Sequence, residues 1–393
     1  MKTYKNLFEE MISTENILEA ISVASRGKKE RKEVQHYLSD EDNARVKEIR
    51  SYMLHFYNEE HSPMVIYDKS NNKERTIYVP TFREQIVHHA IVQVLYPLFM
   101  KGMYEHSYAS IPGRGSVKAS KIIRRVIDSD RAGVKYYLKM DVKKFFNSIN
   151  HTILYNKLKR EIKDKRFMKI VETLFTVIDN EHGLPLGFYT SQWFANFYLE
   201  RLDHYIKEDL QVKHYFRYMD DMVIFYSNKR KLRKIRDAIF TFLKAELDLN
   251  VKENYQIRRF SYIKKDKNGN KVYKGHDLDF MGYRFFRDKT ILRKRIYKNI
   301  IKTVKSMSKR KYGPTISDCR RMMSYMGWIY HTDSNYVYRY VIIDKVNIGY
   351  LRKKLSNYDR KRIANLAKNS NIIKINSWKE YSQWNGEFQK VLQ

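Results

Sequence analysis

One cysteine, Cys319, stands in a chain of 393 residues, together with six prolines and fourteen glycines. A lone thiol excludes a disulfide scaffold and any cysteine-rich zinc or iron–sulfur site, and Cys319, in basic helical surroundings, is expected to be inert. No low-complexity linker and no internal repeat breaks the chain. No apolar run approaches the ~18–20 residues of a membrane span. The opening Met1-Lys2-Thr3-Tyr4 leads into charged residues without the apolar core of a signal peptide, so a cytoplasmic protein away from membranes is expected. Acids are also scarce, 44 against 77 lysines and arginines, which gives a net charge of +33 and a pI near 9.8.

The composition is globular: 43% hydrophobic and 31% charged residues in 47.6 kDa, enough for two or three structural units. The basic excess runs along the whole chain, which points to a polyanionic partner. Aromatics reach 14%, with 32 tyrosines interleaved among the lysines and arginines. That mixture suits base stacking along a charged groove, although genome composition would also inflate tyrosine and lysine counts.

Periodicity orders the elements. Ser13 or Thr14 caps a helix carrying Ile17, Leu18, Ile21 and Ala24, closed by Gly27, and a second helix is predicted from about Asp42 to Tyr57. Met64 to Tyr67 and Thr76 to Val79 read as a hairpin turning at Ser70-Asn71-Asn72, ended by Pro80 and followed by a long apolar helix over 83–100. His88 and His89 on that helix read as fold-related. A Gly-Pro-Arg cluster at 112–115, a helix bearing Ile122, Ile123 and Ile127, and a strand over Tyr136 to Met140 come next. A helix over 190–210, short strands flanking Met219-Asp220, a covering helix from Leu232 and a hairpin between Gln256 and His276 around Asn268-Gly269 complete the middle. From Leu292 the chain is basic and helical.

Two carboxylate sites carry the chemistry. Asp141 ends the strand Tyr137-Leu138-Lys139-Met140, and Asp220-Asp221 sit in Tyr218-Met219-Asp220-Asp221-Met222-Val223. An Asp-Asp pair alone is ordinarily a solvated turn. Adjacent carboxylates among strand-forming apolar residues are costly unless a divalent cation neutralises them, and hard oxygen ligands suit Mg²⁺. Two such ions clamp the attacking and leaving oxygens of nucleotidyl transfer.

This constellation resembles a reverse transcriptase over most of the chain. Tyr218-Met219-Asp220-Asp221 matches the family's catalytic box and Asp141 its first metal-binding aspartate. The resemblance implies an α+β right-hand polymerase: a helical N-terminal extension (1–60), fingers (61–139), palm with part of the fingers (140–286), and a helical thumb with a C-terminal tail (287–393). It implies two Mg²⁺ ions, or Mn²⁺ in their place, held by Asp141, Asp220, Asp221 and the carbonyl of Val142. It implies RNA-templated DNA synthesis from dNTPs, with a structured RNA template and a cDNA or primer as partners, beside an accessory protein or a second copy of the chain. Phe146 falls where the family keeps the ring that excludes a 2′-hydroxyl; core packing is the other reading. Arg75, with Lys73 beside it, resembles the grip on the incoming triphosphate, the alternative being solvated hairpin charge. Arg114, in His106-Ser107-Tyr108-Ala109-Ser110-Ile111-Pro112-Gly113-Arg114-Gly115, resembles a phosphate-pairing residue of the fingers loop. Leu186, Gly187, Ser191 and Gln192 resemble the floor of the nucleotide pocket, and Gly282, in Phe280-Met281-Gly282-Tyr283, the primer grip. Tyr218 and Met219 would face nucleic acid.

Two departures narrow the likeness. Most of the family carries Gln-Gly and Ser-Pro where this chain has Leu186-Gly187 and Ser191-Gln192. With Asn6-Leu7-Phe8, Ala24-Ser25-Arg26-Gly27 and Gly327-Trp328-Ile329, that pattern resembles diversity-generating retroelement enzymes, which implies error-prone copying. Antiphage-defence reverse transcriptases that copy a non-coding RNA share much of the layout. A maturase-like RNA-binding protein and an RNA-dependent RNA polymerase are the remaining rivals. The second departure is at Leu249 to Tyr255, where Tyr255 stands near the place of the family's lysine, so Lys252 is not expected to donate a proton to pyrophosphate. No RNase H, endonuclease or integrase module is expected after the thumb.

Overall fold

The computed structural model describes residues 3–39, 43–68, 73–178 and 181–368, so the predicted turn at Ser70-Asn71-Asn72 and the tail from residue 369 lie outside the described residues. Eleven strands are described: β1 (Met64–Asp68), β2 (Lys73–Ile77), β3 (Tyr136–Asp141), β4 (His214–Tyr218), β5 (Asp221–Tyr226), β6 (Gln256–Arg259), β7 (Tyr262–Lys265), β8 (Lys271–Lys274), β9 (Leu278–Phe280), β10 (Tyr283–Phe285) and β11 (Thr290–Leu292). The central sheet has the order β4-β5-β3-β6, antiparallel throughout.

Strand side chains alternate between faces, and here both faces are apolar. Leu138, Met140, Tyr215, Met222 and Ile224 enter one core, while Tyr137, Phe216, Val223 and Phe225 enter a second. The first core is roofed by helices Phe82–Lys101, Tyr189–His204 and Lys229–Leu247. The second is closed by Ala119, Ile123 and Ile127 of helix Ser116–Ser129 and by β9 and β10. Ser13 caps helix Thr14–Ala24 by accepting the Asn16 N–H at 3.2 Å. That helix buries Ile17, Ala20, Ile21 and Ala24 in the same core as the Phe82–Lys101 helix, so the N-terminal segment is fused to the unit that holds the central sheet. A third core, built on Ile300, Val304, Cys319, Met322 and Met326, joins the C-terminal helices to Leu292 of β11.

Four local expectations change. Leu18 is 45% exposed, because only every third or fourth helical position reaches the core. The helix expected from about Asp42 to Tyr57 spans Ala44–Leu54, and an unforeseen helix, Lys32–Leu38, precedes it. The helix expected to reach Leu210 passes at Tyr205 into a π-helical turn ending at Asp209. Gln256–Arg259 does not open the Asn268-Gly269 hairpin but joins the central sheet beside β3, and β7 pairs with β8 instead.

Beneath the β4–β5 turn lies a buried ion pair. Arg217 and Asp203 have no exposed side-chain surface. The Arg217 Nε donates to both Asp203 oxygens, at 2.8 and 3.1 Å, and Nη2 to Oδ2 at 2.6 Å. Nη1 donates to Asn196 Oδ1 at 2.9 Å and to the Met219 carbonyl at 3.2 Å. The backbone of Arg217 also pairs with the 104–115 loop: its N–H donates to the His106 carbonyl, and its own carbonyl accepts from Tyr108, both at 3.0 Å. Removing one partner strands a buried charge, so Arg217→Ala should lower the unfolding free energy by about 3–5 kcal/mol. An Arg217→Met/Asp203→Leu double variant should lose much less; urea denaturation of the two proteins makes the comparison.

Candidate active site

Antiparallel register brings the acids together. Asp141, last in β3, is paired directly with Asp221, first in β5, and Asp220 sits in the tight turn before it. Met219 takes a left-handed φ of 57°, which lets β4 reverse into β5 within two residues. The Val142 N–H donates to the Asp220 carbonyl at 3.4 Å, closing the second strand end onto the turn. Strand–Asp and hairpin–Asp-Asp, distant in sequence, thus form one carboxylate edge.

Lysines face that edge. Lys139 Nζ lies 3.7 Å from Asp221 Oδ2, and Lys252 forms an ion pair with Asp141. The sequence discounts Lys252 only as a proton donor to pyrophosphate and gives no sign of this ion pair, which tertiary pairing creates. The Lys252 N–H donates to the Asp141 carbonyl at 2.9 Å, and the Lys143 N–H donates to the Asn250 carbonyl at 2.7 Å. Withdrawal from water, reinforced by the Asp141 charge, pushes the Asp220 carboxyl up to about 7. Desolvation lifts Asp221 to about 6 against the pull of Lys139. The Asp221 Oδ1 is buried without a hydrogen-bond partner. Among the described residues no three His, Cys, Asp or Glu side chains already form a metal cage. An orphaned carboxylate oxygen and two suppressed ionisations nevertheless fit a divalent cation with an all-oxygen donor set. Such an ion would take over from the Lys252 ammonium at Asp141.

Other candidates divide. Phe146 is half-buried, edge-on to Phe145 at 5.6 Å, whereas Phe145 is fully in the core. Phe146 is therefore the one of the two rings that keeps exposed surface. Tyr78 donates its N–H to the Leu186 carbonyl at 2.7 Å, and Gly187, at φ 113°, lies so near that a Cβ would stand 2.0 Å from the Tyr78 carbonyl oxygen. The segment after β2 is thus docked on the half-buried Leu186 and on a glycine that admits no side chain. Behind this floor Ser191 is buried, while Gln192 is exposed. His88, also buried, meets Thr190 Oγ1 through Nδ1 at 3.1 Å, and burial holds its pKa down at about 3, so it stays neutral as a packing residue. Arg75 is exposed on β2 opposite Ile66, and the Lys73 side chain is outside the described residues.

Three residues expected at nucleic acid have structural duties. Met219 turns its side chain into the main core, so its part in the turn is backbone geometry. Gly282, at φ 89°, lies under Trp328, whose ring carbon would be 2.8 Å from an added Cβ, so it is covered rather than offered to a primer. Arg114 spends Nη1 on the Tyr104 and Ser107 carbonyls, at 2.6 and 3.0 Å, bracing its own loop. Tyr218 alone of the turn's large side chains is exposed, at 36%.

Residues 66–257, just under half of the chain, match the family model "Reverse transcriptase (RNA-dependent DNA polymerase)". The chain is 27% identical to the Retron Ec73 reverse transcriptase of Escherichia coli, over 56% of this chain and 71% of that protein. It is 26% identical to Protein YkfC of Escherichia coli K12, over 36% of this chain and 39% of that protein. It is 26% identical to the group II intron-encoded protein LtrA of Lactococcus lactis, over 38% and 25% of the two chains. Two of these three relatives are thus matched over less than half of their length. Among solved structures, apo telomerase from Candida tropicalis aligns with a TM-score of 0.46 at 11% identity, covering 73% of this chain and 58% of that one. Residues 66–257 are a reverse transcriptase domain of the right-hand polymerase fold, with retron and intron-encoded relatives. Among the described residues no helix is long and apolar enough to cross a membrane.

The electrostatics give a signed prediction. A carboxyl raised above its unfolded value favours the folded state below about pH 4 and loses that contribution as pH rises through about 6–7. Without metal, Asp220→Asn should therefore raise the melting temperature relative to wild type at pH 8 but not at pH 4. Added Mg²⁺ should stabilise wild type and leave the variant nearly unmoved. Thermal melts at the two pH values, with and without Mg²⁺, read this out.

Proposed function

We propose that the chain is an RNA-directed DNA polymerase of a bacterial or phage retroelement, copying a structured RNA into cDNA. The observation that carries this reading is the pairing of Asp141 with Asp221 and the seating of Asp220 in the adjoining turn, inside the matched domain. Asp141, Asp220 and Asp221, with the Val142 carbonyl, would hold two Mg²⁺ ions, for which Mn²⁺ could substitute. Bound there, the ions would lower the cost of charge developing on the attacking 3′-oxygen, the phosphorus and the departing pyrophosphate. The protein's own residues orient and select. Arg75 and Lys73, on the β1–β2 hairpin, would hold the triphosphate of a dNTP as the cations of the fingers. Phe146 would fill the space of a ribose 2′-hydroxyl. Gly187 keeps the pocket floor against the Tyr78 carbonyl, and Lys252 balances Asp141 until metal loads.

The extension, fingers, palm and thumb follow the boundaries 1–60, 61–139, 140–286 and 287–393 in this reading, with the third core as the thumb's own. Asp141→Asn should abolish dNTP incorporation while RNA binding survives, and retained activity would refute the assignment. Phe146→Ala should raise rNTP relative to dNTP use; an unchanged ratio would leave the ring as packing. An RNA polymerase would prefer rNTPs already as wild type, and a maturase would bind RNA without incorporating either.

Within this reading we place the enzyme with diversity-generating retroelements, the alternative being a defence enzyme copying an associated RNA. The support is Leu186, an aliphatic residue at the nucleotide floor where most of the family keeps a glutamine. A lost directional hydrogen bond of roughly 1–1.5 kcal/mol corresponds to about tenfold in selectivity. Leu186→Gln should therefore lower the misincorporation frequency by about that factor, above all opposite template adenine. Sequencing cDNA from both proteins on one template is the measurement, and equal error spectra would favour the defence role.

A further inference from the structure

The β7–β8 hairpin lies beyond the matched domain, which ends at residue 257, and has no part in the carboxylate edge. Its segment from Tyr262 to Lys274 carries Lys264, Lys265, Lys267, Lys271 and Lys274 with a single acid, Asp266. That acid is used locally: Asp266 Oδ1 accepts the N–H groups of Asn268 and Asn270, at 2.9 and 2.8 Å, and so shapes the tip. The five lysines are exposed, and none forms an ion pair among the described residues. Lys265 and Lys271 are directly opposite one another across the strands, an arrangement of like charges that weakens a hairpin. The sequence thus keeps a destabilising pair in an otherwise well-rooted element.

The root is firm. The Ser261 N–H donates to the His276 carbonyl at 2.8 Å, and Tyr273 donates its hydroxyl proton to Asp288 at 2.6 Å. Gly275, at φ 79°, admits the Phe260 carbonyl oxygen 2.6 Å from where a Cβ would stand. The position is equally defined. Arg259, just before the hairpin, pairs with Tyr136 at the start of β3, five residues from Asp141 at its end, so the hairpin leaves the sheet roughly 17 Å from the acids at ~3.3 Å per residue.

We propose that this hairpin anchors the phosphate backbone of folded, A-form RNA outside the catalytic cleft. The inference rests on the polymerase reading above and adds where the template's structured part is held. A two-stranded ribbon with Lys265 and Lys271 opposed and further lysines on both strands offers two rows of ammonium groups to phosphates. Double-stranded RNA is recognised mostly by shape and by 2′-hydroxyl and phosphate contacts rather than by base readout; the polymerase reading supplies folded RNA as the occupant. Lysine ammonium groups serve as point charges there, without base specificity.

The test uses the full chain, a long stem-loop RNA without primer, a DNA duplex of equal length and a short primer–template. A Lys264→Ala/Lys265→Ala/Lys267→Ala/Lys271→Ala variant should weaken stem-loop binding at least tenfold. It should also flatten the plot of log affinity against log salt by about 3, at ~0.7–0.9 per lost phosphate contact. Its dNTP incorporation on the short primer–template should equal that of wild type. Lys265→Glu, which makes an attractive pair with Lys271, should weaken stem-loop binding with no fall in melting temperature, separating contact from folding. An unchanged salt slope, an equal loss on the DNA duplex, or lost incorporation on the short primer–template would overturn the proposal. If wild type incorporates no dNTP at all, the polymerase reading fails, while the salt slope still decides the hairpin's role.

Discussion

A guanidinium and a carboxylate without access to water hold the rest of the site in register. Ion pairs of this kind gain little over an apolar pair, because desolvating both charges offsets most of their attraction. Their value here is directional. Arg217 distributes its N–H groups over Asp203, Asn196 and the Met219 carbonyl, while Asp203 also accepts the Tyr215 hydroxyl at 2.8 Å. The backbone at the turn is thereby fixed from below, and a turn that cannot shift keeps Asp220 and Asp221 at the level of Asp141. Through Asn196, which donates to the Ala109 carbonyl at 3.0 Å, the same network ties down the 104–115 loop.

Fixing three acids together has an electrostatic cost that the surrounding chain meets with lysines. Lys139 and Lys252 come from a strand neighbour and from the segment leading into β6, so each depends on the sheet being formed. This explains why the net charge of +33 is compatible with an acidic centre: cations stand at the edge of the site as well as on the outer faces. It also explains the orphaned Asp221 oxygen, since a single lysine amine cannot satisfy both oxygens of a carboxylate with which it makes only a 3.7 Å contact.

Local chemistry is legible in the sequence where a side chain's role is set by its neighbours in the chain. Asp141 ends a run of strand-forming residues, and Asp220 interrupts two apolar strands, so both can be assigned to strand ends and hence to one edge. The N-cap at Ser13 is readable for the same reason. Roles set by distant partners are not. Nothing near Gly282 announces Trp328, and nothing near Lys252 announces Asp141. The sorting of Phe145 from Phe146 needs the core itself, since two adjacent rings are equivalent until one is buried. Gln256 escapes correct assignment because a four-residue strand beside a strong Asn-Gly turn has no local mark of its sheet partner.

The C-terminal helices have their own core, yet they are not mechanically independent of the acids. Arg293, preceding helix Lys294–Ser308, donates Nε to Asp279 Oδ1 at 2.6 Å and its backbone N–H to the Gly282 carbonyl at 3.0 Å. Asp279, on β9, in turn accepts Lys139 Nζ at its carbonyl at 2.6 Å. Lys139 is the lysine that faces Asp221. A short polar chain therefore runs from the base of the last helical unit, through β9, to the carboxylate edge, and Trp328 closes over Gly282 beside it. The first contacts in that chain are hydrogen bonds with a defined direction and the last is a 3.7 Å ion pair, so a movement of the helices that breaks the Arg293–Asp279 bond acts on the residue whose backbone carbonyl holds Lys139 beside Asp221. The base of the last helical unit and the carboxylate edge are thus linked through Lys139.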